Sequence, residues 1–219
     1  MERHYERELE ELRSSLIDMG ELVDRQLRDA IGALLAGDPA RAERVIARDV
    51  EVDLFDTTID RRVQSIIALN QPVAIDLRLL MAALKINGQL ERMGDIAVNI
   101  AERVVPLAGE QAFLDSTRIA EMAEISSIMV RDSLDAFLRQ DPMVARRVLE
   151  SDDVVDKLNA VIFRHLVEEM ELSHERIRPA AHMLVLTRHL ERLADHATNI
   201  AEDVIFLVEA RLVKHHAQA

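Results

Sequence analysis

Apolar residues recur at helical spacing through most of this chain. Ile86, Leu90, Met93, Ala97, Ile100 and Val104 follow one another at alternating steps of four and three, the stripe that one face of an α-helix turns towards a core. Turn signals cut the pattern into segments. A first helix is predicted from about Arg7 to Leu35, ending at Gly37-Asp38-Pro39. A second runs to about Leu69 and stops at Asn70-Gln71-Pro72, and a third runs from about Ile75 to Leu107. After a link near Gly109 to Ser116 the series starts again: a helix ending at Gln140-Asp141-Pro142, one from Pro142 to about Leu172, and one from about Pro179 to Val213. Asp38 and Asp141 suit N-cap positions, with Pro39 and Pro142 at the first helical position, where a missing N–H costs nothing. Long antiparallel helices with such stripes make bundles. The predicted fold is therefore all-α, two tandem three-helix bundles over residues 1–110 and 111–219.

The halves share residues as well as pattern. Shifted by 103, Arg28–Asp53 and Arg131–Asp156 agree at 12 of 26 positions; shifted by 100, Leu84–Val105 and Leu184–Ile205 agree at 11 of 22. A repeat kept only for its core would retain apolar residues. Here Asp49/Asp152, Asp53/Asp156, Glu91/Glu191, Asp95/Asp195, Asn99/Asn199 and Glu102/Glu202 are retained too, so a duplicated polar site is weighed beside a duplicated fold.

Composition removes several functional classes. With 27 basic against 40 acidic residues the formal charge is −13, which repels phosphate backbones and anionic lipid, so nucleic-acid binding is not expected. A basic partner or bound cations suit it better. The absence of cysteine excludes disulfides, thiolate metal sites and cysteine nucleophiles and fits a reducing compartment. The charged start carries no apolar signal core, and no window approaches 18 uncharged apolar residues. A cytoplasmic protein without direct membrane insertion is expected.

The shared acids pair on helix faces. Residues four apart stack one turn above each other, so Asp49 pairs with Asp53 and Glu91 with Asp95. Positions 51 and 93 are each 21 residues from Pro72, which puts the two pairs at one height in an antiparallel hairpin. Asp152/Asp156 and Glu191/Asp195 repeat this about a turn near His174. Clustered carboxylates repel unless cations or water intervene. Oxygen donors favour hard ions such as magnesium, manganese, calcium or ferric iron; zinc completes the candidate set. The bland reading is a solvated acidic face, and duplication weighs against it. Asp18/Glu121 and Glu21/Glu124 on the first helix of each copy are brought towards a similar level. Asn99 and Asn199 are candidates to orient carboxylates or to make structural hydrogen bonds, and Glu102 and Glu202 to add ligands or surface charge. Arg78/Arg178 and Arg92/Arg192 read as salt-bridge partners of the acids.

Other motifs carry less. His182, His189 and His196 lie seven apart, but the first copy has Ala82, Gln89 and Ile96 there, so the stripe stands outside the duplicated site; His196, next to Asp195, is a candidate extra ligand in the second copy only. His215 and His216 fall in a terminal tail. Glu171 and His174 form a single ExxH, whereas a ferritin-like di-iron site needs one on each of two helices. Phosphate loops, HExxH and Ser-His-Asp spacing are absent from the sequence, so no enzyme is expected.

The segments LERMGDIAVNIAE (Leu90–Glu102) and LERLADHATNIAE (Leu190–Glu202), with the preceding Asp76-Leu77-Arg78, resemble the signature of the PhoU family over essentially the whole chain. The resemblance implies a non-catalytic accessory protein of phosphate uptake that restrains the phosphate regulon when phosphate is plentiful. Its implied partners are the phosphate ABC transporter and a phosphate-sensing histidine kinase, which would hold it at the inner membrane; a homodimer is expected. It also implies multinuclear metal clusters on E(D)xxxD motifs, here Glu91, Asp95, Glu191 and Asp195, with Asp49, Asp53, Asp152 and Asp156 facing them. Ile96 against His196 is a departure between the copies. The alternative is a ferritin-like protein that binds or oxidises metal.

Overall fold

The computed structural model describes residues 2–214; His215 and His216 lie outside them. Seven helices follow in order: α1 (Glu2–Ala36), α2 (Pro39–Asn70), α3 (Ala74–Ala101), α4 (Gln111–Ser116), α5 (Ile119–Arg139), α6 (Pro142–Leu172) and α7 (His174–Glu209). Helices α1–α3 form one three-helix bundle and α5–α7 the other. The bundles meet along α3 against α7 and α1 against α5, and one continuous apolar core runs through both.

The turns form as their chemistry dictates. Gly37 takes a left-handed conformation (φ 61°) and the Asp38 N–H returns to the Ala33 carbonyl at 2.9 Å, so α1 closes on a C-terminal glycine. The Asp38 carboxylate then accepts from the Arg41 N–H and begins α2. The second copy builds the same turn with Gln140 at φ 51° and Asp141 accepting from Met143 and Val144. On α3 the stripe Ile86, Leu90, Met93, Ala97 and Ile100 is fully buried, each large aliphatic side chain contributing about 1.5–3 kcal/mol of transfer free energy.

Several boundaries differ from the predicted ones: α1 begins at Glu2 rather than near Arg7 and α7 ends at Glu209 rather than near Val213. Helix α3 ends at Ala101 rather than near Leu107. Pro106 has no N–H for the helical ladder and disfavours helical backbone at Val105, so the chain leaves in tight turns, Arg103 N–H to the Ile100 carbonyl and Val104 N–H to that of Ala101. Phe206 occupies the corresponding place in α7, which continues to Glu209. Within the link, α4 packs against α5 and α1, burying Phe113 and Leu114, and Arg176 lies over the Phe113 ring at 4.4 Å. Helix α7 starts before Pro179, at His174, because Ser173 caps it by accepting from the Glu175 N–H.

Candidate functional site

The predicted hairpin register holds. Asp49 on α2 lies against Gly94 on α3, its Oδ1 3.3 Å from where a β-carbon on that glycine would stand. Farther along, Asn87 on α3 donates from Nδ2 to Asp56 Oδ1 at 2.7 Å and Asp60 Oδ1 at 3.1 Å. The acidic faces of α2 and α3 therefore meet. Asp49 and Glu91 are half-buried, Asp53 and Asp95 exposed at the rim.

Charge reports the same proximity. The Asp49 carboxyl is pushed above the ordinary carboxylate range, first by burial, then by Asp53 and Asp95, against a lowering hydrogen bond from Gln26. Glu91 is pushed up by burial, Asp95, Asp56 and Asp53, with Arg92 opposing. In the second copy burial raises Glu191 most, then Asp195 and Asp156; Asp152 is buried at 3 % exposure and Asp195 exposed. All donors are oxygens, suited to hard cations. Among the described residues, however, no three His, Cys, Asp or Glu side chains stand in place around one point to hold an ion. Cation binding would need side-chain rotation.

The first copy extends the face with residues that the sequence comparison did not select. Burial, Asp60 and Asp53 push the Asp56 carboxyl up. Gln26, fully buried, donates to Asp49 Oδ1 at 3.4 Å. Asp49, Asp53, Asp56 and Asp60 are spaced four, three and four, one continuous helical stripe. That spacing was the available signal, but comparing the copies discards it: residues 129, 159, 163 and 187 are Met, Asn, Phe and Thr where the first copy has Gln26, Asp56, Asp60 and Asn87.

Several candidates turn elsewhere. Asn99 donates to the Asp95 backbone carbonyl at 2.8 Å, a structural bond. Asn199 reaches Gln89 Oε1 at 3.4 Å across α3 and α7, and His196 Nδ1 meets the same oxygen at 2.7 Å. One residue of helix turns about 100°, which carries His196 from the Asp195 face into this seam; burial, then Arg192 and Arg92, push it down to about 4. Glu102 sits beside Arg103 at 3.4 Å, and Glu202 lines the cleft between α3 and α7. Glu21 faces α5, lining a depression with Arg131 and Leu134. Glu121 is held by Arg118 in two bonds of 2.7 Å; Glu124 and Asp18 are exposed. Arg92 acts on Glu91 by its charge, and the charges of Arg178 and Arg192 reach His182 and His189. Glu171 and His174 are exposed at the α6–α7 turn, away from any bundle interior.

Fold and faces define a class: a duplicated helical-bundle protein whose two hairpins each bring paired carboxylates together. The PhoU domain model matches residues 16–104 and 119–204, one copy in each half. A phosphate-specific transport system accessory protein PhoU homolog of Aquifex aeolicus is 43 % identical over 209 residues, 95 % of either chain. A homolog of that name from Xylella fastidiosa is 34 % identical over 206 residues, covering 94 % of this chain and 87 % of the relative. The crystal structure of PhoU from Pseudomonas aeruginosa superposes with a TM-score of 0.89 at 35 % identity, over 94 % of this chain and all of that one. PhoU from Streptococcus pneumoniae gives 0.88 at 28 % identity, over 96 % and 99 %. This chain belongs to the PhoU family, a family of accessory rather than catalytic proteins. Among its described residues no helix is long and apolar enough to cross a membrane.

Proposed function

We propose that this chain is a cytoplasmic regulatory accessory protein of phosphate uptake, a homodimer that restrains phosphate-starvation genes when phosphate is plentiful. It acts through contacts with the phosphate ABC transporter and a phosphate-sensing histidine kinase, which place it at the inner membrane. The observation that carries the regulatory reading is the match of both halves to one family whose curated members are named for phosphate-specific transport.

The acidic faces supply the working surface of this reading. Glu91, Asp95, Asp49 and Asp53 in one copy, and Glu191, Asp195, Asp152 and Asp156 in the other, would hold iron or another hard cation, with magnesium, manganese, calcium and zinc as alternatives. Oxygen-only donors and mutual repulsion between α2 and α3 support that fit. A bound cation supplies positive charge and open coordination positions, so an acidic face can receive an acidic partner. Without a cation the same faces suit basic patches.

The test is genetic. Cells carrying Glu91→Ala, Asp95→Ala, Glu191→Ala and Asp195→Ala together should express phosphate-starvation genes in phosphate-rich medium while the variant remains folded, helical and abundant. Normal repression at normal abundance would remove the acidic faces from the mechanism. Intact repression after deletion of the whole gene would overturn the regulatory role itself.

A further inference from the structure

Helix α2 is apolar on two sides. Val45, Val52, Ile59 and Val63 are buried in the core, yet Ile46, Val50 and Leu54 stand 40 %, 58 % and 63 % exposed. At about 100° per residue these three lie roughly 100, 140 and 180° round the helix from Val45. They face away from α1, which α2 meets through Arg41 and Arg48 on Asp29. Residues four apart form a ridge of the kind that packs into the groove of another helix, and this one is about 12 Å long at the helical rise. Among the described residues no helix packs over it.

The fold does not require this ridge. Shifted by 103, the same places in α6 hold Leu149, Asp153 and Lys157; Leu149 is buried there, and the other two are exposed and charged. Single exposed apolar side chains are ordinary on a protein surface, but a contiguous row present in one copy alone reads as a contact face. Charge identifies what covers it. Asp49 and Asp53 lie about 40 and 80° from Val45, on the side that turns to Gly94 of α3. They border the ridge, and Glu91 and Asp95 stand beyond them on α3. Glu51 borders the other side and Glu43 precedes the ridge by about one turn, both exposed; Arg44 and Arg61 stand only towards its ends. A second copy of this chain seated ridge to ridge would set these carboxylates against their own equivalents. An anionic lipid surface would meet like charge, in a chain of net charge −13.

We propose that the ridge of Ile46, Val50 and Leu54 docks an amphipathic helix of another protein, one whose apolar side chains sit on the ridge and whose lysines or arginines lie over Asp49 and Asp53. Such a helix is read through apolar anchors at helical spacing. Its basic flank steers the approach and fixes its orientation across α2, while burial of Val50 and Leu54 supplies most of the affinity. Docking requires no bound cation and belongs to the cation-free chain, so it stands or falls separately from cation binding at the acidic faces.

The probe is a fluorescent helical peptide with leucines along one face and lysines on its flanks, titrated into the chelator-treated full chain beside a counterpart carrying glutamates in place of the lysines. The lysine peptide should bind saturably, more weakly as salt rises, and the glutamate peptide should not bind. Val50→Asn with Leu54→Gln leaves the net charge unchanged and should weaken binding about tenfold or more. Val154→Asn with Val161→Gln, at exposed positions of α6, should leave it as in the parent. Asp53→Asn should weaken binding and flatten its dependence on salt. All these positions are exposed, so circular dichroism and melting should match the parent. Absence of saturable binding, equal binding of the glutamate peptide, or a ridge variant that binds like the parent overturns the proposal. A ridge variant whose oligomeric state differs in sedimentation would assign the ridge to a second copy, and ridge-dependent binding to phosphatidylglycerol vesicles would assign it to lipid; either result overturns the proposal too.

Discussion

Asp49 and Glu91 illustrate how single residues set the energetics of the acidic face. Both are pushed above the ordinary carboxylate range by burial and neighbouring carboxylates, so their ionisation weakens the fold above their folded pKa values. That cost disappears as pH falls below the unfolded values of about 4. In metal-free protein Asp49→Asn with Glu91→Gln should therefore raise the melting temperature at pH 7 by about 2–4 °C, the shift that ~1 kcal/mol makes at this size, and the gain should vanish near pH 4. His196 works in the opposite sense. Held down to about 4, it supports the fold above its unfolded value of about 6.5, and that support is lost as pH falls through this window to the folded value. His196→Ile, borrowing the first copy's residue, should flatten the loss of stability between those limits, as equilibrium unfolding across pH would show. A variant as acid-sensitive as the parent would place the pH dependence elsewhere.

At the scale of elements, most of the fold was legible because turn chemistry and apolar periodicity agree. Asp38-Pro39 and Asp141-Pro142 announce the starts of α2 and α6, and both aspartates cap as expected. The hairpin register followed from counting outwards from Pro72, and the contacts of Asp49 with Gly94 and of Asn87 with Asp56 agree with it. What escaped was governed by local competition or by tertiary packing. Apolar periodicity carried α3 past Pro106, although that proline ends the helix, and the short α4 is held by Phe113 and Leu114 against neighbouring helices rather than by a pattern of its own. The equivalent turns after α1 and α5 also allow a direct test of conformational strain. Gly37 and Gln140 share a left-handed conformation, which costs an L-residue roughly 1–2 kcal/mol. Gly37→Ala should lose about 1 kcal/mol of unfolding free energy and Gln140→Gly should gain up to about 1 kcal/mol, measured by denaturant unfolding; equal effects of one sign would refute the shared turn geometry.

For the whole molecule, duplication organises both the structure and the candidate site, and the two copies differ in the residues around it. The acidic pairs on α2/α3 and α6/α7 are the part of the candidate site that the repeat makes visible. Gln26, Asp56, Asp60 and Asn87 enlarge the first face alone, and the second copy's histidines line the seam, so comparing the copies could not select either set. Of the surrounding candidates, Asn99 makes the structural hydrogen bond that was one of its two readings, while Asn199 and His196 reach Gln89, contacts that only the packing of α3 on α7 reveals. The central proposal is that the duplicated acidic faces hold hard cations. It is tested most directly by melting chelator-treated protein with and without manganese, in the parent chain and in Asp95→Asn with Asp195→Asn. The expected result is a rise of about 5 °C or more in the parent at a hundredfold excess over Kd and a clearly smaller rise in the variant. A parent chain whose melting temperature is indifferent to manganese and to iron, or a variant that gains as much as the parent, would contradict it.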